Sequence, residues 1–172
     1  MKRNLGLVAG FSLALVVPAA AEPANLLGVF GNWSAYSSGS GASLTCYALS
    51  KPRATRPAGA KRGPIYLMVS DWPARKVKAE PQVVYGYQGK EGAAAALAIG
   101  SDKFTFFIRN NGKEASSWLQ QITDNGRLIE AMHGGVSAVA SGISQRGTKT
   151  SDTYSLQGFN DAMVKVHAAC NM

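Results

Sequence analysis

The sequence predicts a mainly β protein of two packed layers with a single C-terminal helix. Two patterns carry that expectation. Short runs of alternating apolar and polar residues recur through the chain, bounded by Gly, Pro, Asn and Ser. The period then changes near the end, where Phe159, Ala162, Met163, Val166, Ala169 and Cys170 recur at helical spacing. An order of many strands followed by one helix fits a β-sandwich with the helix packed on an edge or end.

The strand series begins with GVFGNWSAY, where Val29, Phe30, Trp33 and Tyr36 are interrupted by Gly31-Asn32. SLTCYALS alternates Leu44, Cys46 and Ala48 against Thr45, Tyr47 and Leu49. Lys51 to Pro64 is rich in Pro, Gly and basic residues and reads as a long connection. IYLMVS is a short apolar strand, DWPARKVKAEP a second polar connection, and QVVYGYQ a strand with Val83, Tyr85 and Tyr87 on one face.

GAAAALAIG has helical propensity, but its bounding glycines and the adjacent KFTFFIR favour a strand pair joined through Ser101-Asp102. In that second strand Phe104, Phe106 and Ile108 share a face, with Phe107 on the other. Asn111-Gly112 suits a two-residue hairpin turn, which needs positive φ. Asp124-Asn125-Gly126 reads as a further turn before RLIEAM, and Arg146-Gly147 divides GVSAVASGISQRGTKT. Ser155 is a candidate cap for the closing helix, with Asp161 and Lys165 spaced to pair on its wet side.

The chain has 172 residues, with 18 Lys plus Arg against 10 Asp plus Glu. The N-terminus has the form of a secretory signal: Lys2 and Arg3, the apolar run LGLVAGFSLALVV, then Ala19-Ala20-Ala21 for cleavage after Ala21. That run is shorter than the ~20 residues that span a bilayer. The expected organisation is a signal peptide at 1–21 and one sandwich domain at 22–172, with a periplasmic or outer-membrane-associated location and no transmembrane segment in the mature chain. Folding at this size buries a real core without metal or multiple crosslinks.

Export places Cys46 and Cys170 in an oxidising compartment, where one disulfide between strand and helix is the expected state. Such a loop is worth up to about 5 kcal/mol through unfolded-state entropy. The competing reading is a Cys170 thiolate beside His167, three residues earlier on the helix. It lacks a second nearby thiol and an evident oxyanion site.

No other chemistry is marked. His133 has no metal-ligand spacing around it, Ser155 is not in a GxSxG elbow, and the Gly-rich stretches lack the Lys and Ser/Thr of a phosphate loop. No catalytic residue, metal or cofactor is therefore expected.

The charge is uneven. Lys51, Arg53, Arg56, Lys61, Arg62, Arg75, Lys76 and Lys78 face only Asp71 between positions 51 and 78, so this stretch supplies the whole positive excess of the mature chain. These eight residues are candidates for contact with an anionic membrane or glycan surface, set against the plainer reading of two solvated loops. Nucleic acid is not an expected partner, because no basic-aromatic strand motif is present. Trp72, between Asp71 and Pro73 in the basic stretch, is the candidate aromatic contact. Trp33 is expected in the core.

The segments FGNW at 30–33, CYALSKP at 46–52, RGTKTSDTYSLQGF at 146–159 and AMVKVHAAC at 162–170 resemble the invasion-associated locus B family of exported alphaproteobacterial proteins. The resemblance implies an immunoglobulin-like β-sandwich with a terminal helix, tied to the sheet by Cys46 and Cys170, and a place in the cell envelope. It carries no catalytic residues. The family's GDW-x-x-x-C pattern is incomplete here, since Tyr36 and Ser37 stand where a further Cys would fall.

The resulting expectation is a non-enzymatic envelope protein that contacts a macromolecule, such as another envelope protein, or the membrane surface, with a link to host interaction. Two alternatives stand beside it. One is a periplasmic small-ligand binding module lined by Tyr85, Tyr87 and Phe107. The other is a hydrolase with a dispersed active site.

Overall fold

A computed structural model describes residues 23–172. The expected signal peptide at 1–21 lies outside them. Eleven strands are hydrogen-bonded in the order β1-β2-β3-β5-β6-β9-β8-β7-β10-β11-β4, every pair antiparallel. In chain order these are β1 (Asn25–Phe30), β2 (Trp33–Ser38), β3 (Thr45–Ser50), β4 (Ala54–Arg56), β5 (Tyr66–Trp72), β6 (Val77–Val84), β7 (Ala95–Ile99), β8 (Asp102–Asn111), β9 (Glu114–Leu119), β10 (Ser137–Ile143) and β11 (Lys149–Ser155). Among the described residues there are two α-helices, α1 (Asn125–Gly134) and α2 (Phe159–Cys170).

The ladder is continuous, and the two halves of the sheet meet by folding over rather than by separating. The Trp33 indole Nε1, at the start of β2, donates to the Ser155 carbonyl at the end of β11 across 2.9 Å. Asn32 N–H donates to the Gln157 carbonyl beside it. Between the layers, Gly142 on β10 leaves room for the Tyr85 ring, which a Cβ there would meet at 2.9 Å. Trp33, Leu67, Val69, Val83, Tyr85, Leu97, Phe104, Phe106 and Tyr154 fill the space enclosed. The mainly β sandwich with a C-terminal helix is thus the fold of this chain.

Helix α2 lies on the inner face of β1, β2, β3 and β5. It buries Phe159, Ala162, Met163, Val166 and Cys170, the spacing seen in the sequence. Cys170 and Cys46 are joined in a disulfide, which rules out a Cys170 nucleophile. The Phe159 ring packs 5.0 Å from Trp33. Gly158, not Ser155, precedes the helix, and only glycine fits there. Its φ is +90°, and a Cβ would run into the Phe30 carbonyl.

Three local expectations are corrected. Asp124-Asn125-Gly126 is not a simple turn but leads into α1, whose Leu128 and Met132 are buried one turn apart. The DWPARKVKAEP connection shrinks to a short 3-10 turn at Pro73–Arg75, because Ala79, Pro81 and Val83 alternate inward along β6. The Lys51–Pro64 connection contains β4, an edge strand on β11. The hairpin turns at Gly31-Asn32, after Asn111 and at Arg146-Gly147 fall where glycine supplies positive φ.

Candidate functional site

Two surface depressions gather some of the residues that the sequence singles out: Trp72, Arg75 and Phe107 in one, Lys61, Arg62 and Tyr87 in the other. The first is on the outer face of the sheet. Cross-strand partners there form one transverse row: Leu49 with Met68, Met68 with Gln82, Gln82 with Trp118, and Trp118 with Phe107. Alternation along each strand leaves this row outside the core. Trp72, Trp118 and Phe107 line an open groove of about 530 Å³ together with Arg75, Arg109 and Ile122. The Phe107 and Trp118 rings are 6.1 Å apart. Arg75 lies over the Trp72 ring and Arg109 over Phe107, at 5.1 and 5.3 Å. Ile122 is 72% exposed.

Trp72 is half-buried. Its indole Nε1 donates to a Glu80 carboxylate oxygen at 3.0 Å, which orients the ring in the groove. Trp118 and Phe107 join it only because β9 and β8 follow β6 in the sheet order, which the sequence does not display.

The second depression is a cleft of about 520 Å³ between the 57–62 loop, residues 87–88, the β8–β9 turn and the β10–β11 turn. Lys61, Arg62, Lys113 and Arg146 line it, with Tyr87 and the polar side chains of Gln88, Gln145 and Thr148. No carboxylate is among its lining residues.

Arg62 forms the inner wall and is not a free surface cation. Its two terminal nitrogens donate to both oxygens of Asp152 at 2.7 Å, and Nε and Nη2 donate to the Tyr85 carbonyl at 2.9 and 2.7 Å. Both side chains are almost wholly buried, Arg62 at 5% exposure and Asp152 at 0%. The guanidinium also covers the Tyr87 ring at 4.9 Å. Tyr87 Oη and Thr150 Oγ1 share a 2.6 Å hydrogen bond. Burial pushes the Tyr87 hydroxyl above its ordinary pKa, against the lowering effect of the Thr150 bond and of Arg62. The ring therefore stays neutral at physiological pH.

The eight basic candidates consequently divide. Lys61 and Arg62 belong to the cleft and Arg75 to the groove. Lys76 in the β5–β6 turn and Lys78 at the start of β6 are exposed near Trp72. Lys51, Arg53 and Arg56 are exposed along and just before edge strand β4. Of the three aromatic candidates for a small-ligand pocket, Tyr85 is fully buried, Tyr87 lines the cleft and Phe107 lines the groove. His133 ends α1 and shares a 2.6 Å hydrogen bond with Asn160 of α2. Lys113 and Arg146 carry no mark in the sequence, because each is a lone cation in a hairpin turn.

A solved structure described as invasion associated protein B from Bartonella henselae superposes with a TM-score of 0.60, over 84% of this chain and 98% of that one. The fold is that of invasion associated protein B. Sequence identity to invasion associated protein B is 12%, and the likeness is one of architecture. No family profile and no curated protein sequence matches the chain. No helix among the described residues is long and apolar enough to cross a membrane.

Proposed function

We propose that this is an exported, non-enzymatic cell-envelope protein whose outer sheet face docks on an anionic membrane surface. One observation carries the reading: Trp72, Phe107, Trp118 and Ile122 share an open groove with Arg75 and Arg109. Indole rings with one polar edge suit the boundary between headgroups and acyl chains. Arg75, Arg109 and the adjoining Lys76 and Lys78 complement anionic headgroups. The signal-like N-terminus supports export into the periplasm. The structural neighbour is an invasion associated protein, which suggests host contact as the extension of this reading.

Sedimentation of the mature chain with phosphatidylglycerol-containing vesicles tests it, with pure phosphatidylcholine vesicles as control. Binding to the anionic vesicles only, weakened by salt, is the expected result. Each charge near the surface is worth about 1 kcal/mol, so Arg75→Glu/Arg109→Glu lowers the partition coefficient by at least about tenfold. Equal binding to neutral vesicles, or retention by the double variant, overturns the assignment. So does capture of one envelope protein through this groove with no lipid dependence.

A further inference from the structure

The cleft walled by Arg62 is distinct from the membrane-docking groove, and we infer that it is a binding site for a hydroxylated polyanion, a sugar carrying two phosphate groups. Lys61, Lys113 and Arg146 reach it from three separate segments: the loop before β5, the β8–β9 turn and the β10–β11 turn. All three are exposed, and none forms an ion pair among the described residues. Like charges that line one cleft without a carboxylate raise its potential and concentrate anions there.

The inner wall is rigid by construction. Arg62 is held by four hydrogen bonds, and its charge is balanced by Asp152 behind it, so it sets the shape of the cleft without supplying net charge. Tyr87 is fixed between Arg62 and Thr150. A preformed wall of this kind lowers the ordering cost of binding. The mouth is polar: Gln145 and Thr148 present amide and hydroxyl groups suited to sugar hydroxyls. Three uncompensated cations match the charge of two phosphates. A volume of about 520 Å³ is that of a small-molecule site, far too small for a polymer to bury itself in.

The same chemistry occurs in a free sugar bisphosphate and in the headgroup of a bisphosphorylated glycolipid, so the test has two arms. In the first, calorimetry follows glucose 1,6-bisphosphate, with glucose as the neutral control. In the second, a protein whose groove is disabled by Arg75→Glu/Arg109→Glu is sedimented with phosphatidylcholine vesicles containing a bisphosphorylated glycolipid, with and without the cleft substitutions. Lys113→Glu/Arg146→Glu is the informative variant, because both residues sit in exposed turns outside the core.

Saturable binding of the bisphosphate, absent for glucose and weakened at least tenfold in the double variant, establishes the site with a soluble ligand. Binding in the vesicle arm alone, lost in the same variant, establishes it with the headgroup as source. Absence of binding in both arms overturns the inference, as does equal binding of glucose or binding that the variant leaves unchanged. With the groove intact, Lys113→Glu/Arg146→Glu keeps Arg75 and Arg109, so its partition onto phosphatidylglycerol vesicles is a separate readout, and the groove and the cleft succeed or fail independently.

Discussion

His167 Nδ1 lies 2.6 Å from Asp71 Oδ2, and this contact sits beside the disulfide at both ends. Asp71 is the cross-strand partner of Cys46, and His167 precedes Cys170 by one turn of α2. A covalent bond and a polar bond therefore tie the same turn of helix to the same rung of the sheet. Asp71 is wholly buried, and its other oxygen accepts the Ala79 N–H at 2.8 Å. Asp71→Ala leaves both of those donors without a partner and is expected to cost about 2–4 kcal/mol. His167→Ala leaves Asp71 its Ala79 N–H and opens the quarter-exposed position of the ring to water, which can solvate the freed oxygen, so it is expected to cost less, about 1–2 kcal/mol. Urea titration of both variants checks the order; equal losses would mean that Asp71 acts only through the histidine.

The disulfide is expected to matter most for α2. Cys46 and Cys170 are 124 positions apart, so the crosslink removes much of the unfolded chain's freedom. The Cys46→Ser/Cys170→Ser variant should lose between 2 and about 5 kcal/mol. Amide exchange should accelerate first in 159–170, since the crosslink ties this helix directly to β3. Uniform acceleration over the whole sandwich would show instead that helix and sheet open as one unit.

Arg62 provides a third prediction. Arg62→Met removes the fork that satisfies Asp152 and strands a fully buried carboxylate, a loss of about 3–5 kcal/mol. Arg62→Lys cannot reproduce the paired geometry and recovers only part of that. The paired change Arg62→Met/Asp152→Leu is expected to be less destabilising than Arg62→Met alone, because the stranded charge is the main penalty. Thermal melts of the three proteins decide this. A double variant no better than the single would place the cost in the lost Tyr85 carbonyl bonds.

These cases also show how far the sequence can be read. Alternation places Trp33, Phe104 and Phe106 in the core, and helical spacing places Cys170 against the sheet, because both signals are local. Helix α1 is hidden by Asn125-Gly126 at its start, although Leu128 and Met132 already stand four apart. Arg62 looks like one cation in a solvated run, because Asp152, which makes it a buried strut, lies 90 positions later. Trp72 stands out in the sequence, but its neighbours Trp118 and Phe107 depend on sheet order, and Lys113 and Arg146 reach the cleft only when two hairpin turns meet the 57–62 loop. Local periodicity thus yields elements and core faces, whereas sites assembled from distant turns need the topology.

Tyr154 and Tyr85 form a matched pair for the last prediction. Both are fully buried, and burial raises both hydroxyls above their ordinary pKa. Tyr85 Oη shares a 3.0 Å bond with Ser117 Oγ and donates to the Ser141 carbonyl at 3.3 Å. Tyr154 Oη has no partner among the described residues. Removing an unpaired buried hydroxyl removes a desolvation cost, so Tyr154→Phe should be neutral or stabilising by about 1 kcal/mol. Tyr85→Phe should destabilise by about 1–2 kcal/mol, since it leaves Ser117 and the Ser141 carbonyl short of a partner. The two substitutions delete the same atom from equally buried rings, so their opposite signs isolate the hydrogen bonding from the packing. Chemical denaturation of the two variants with matched m-values measures the difference, and a loss at Tyr154 equal to that at Tyr85 would mean that a buried water completes the Tyr154 hydroxyl.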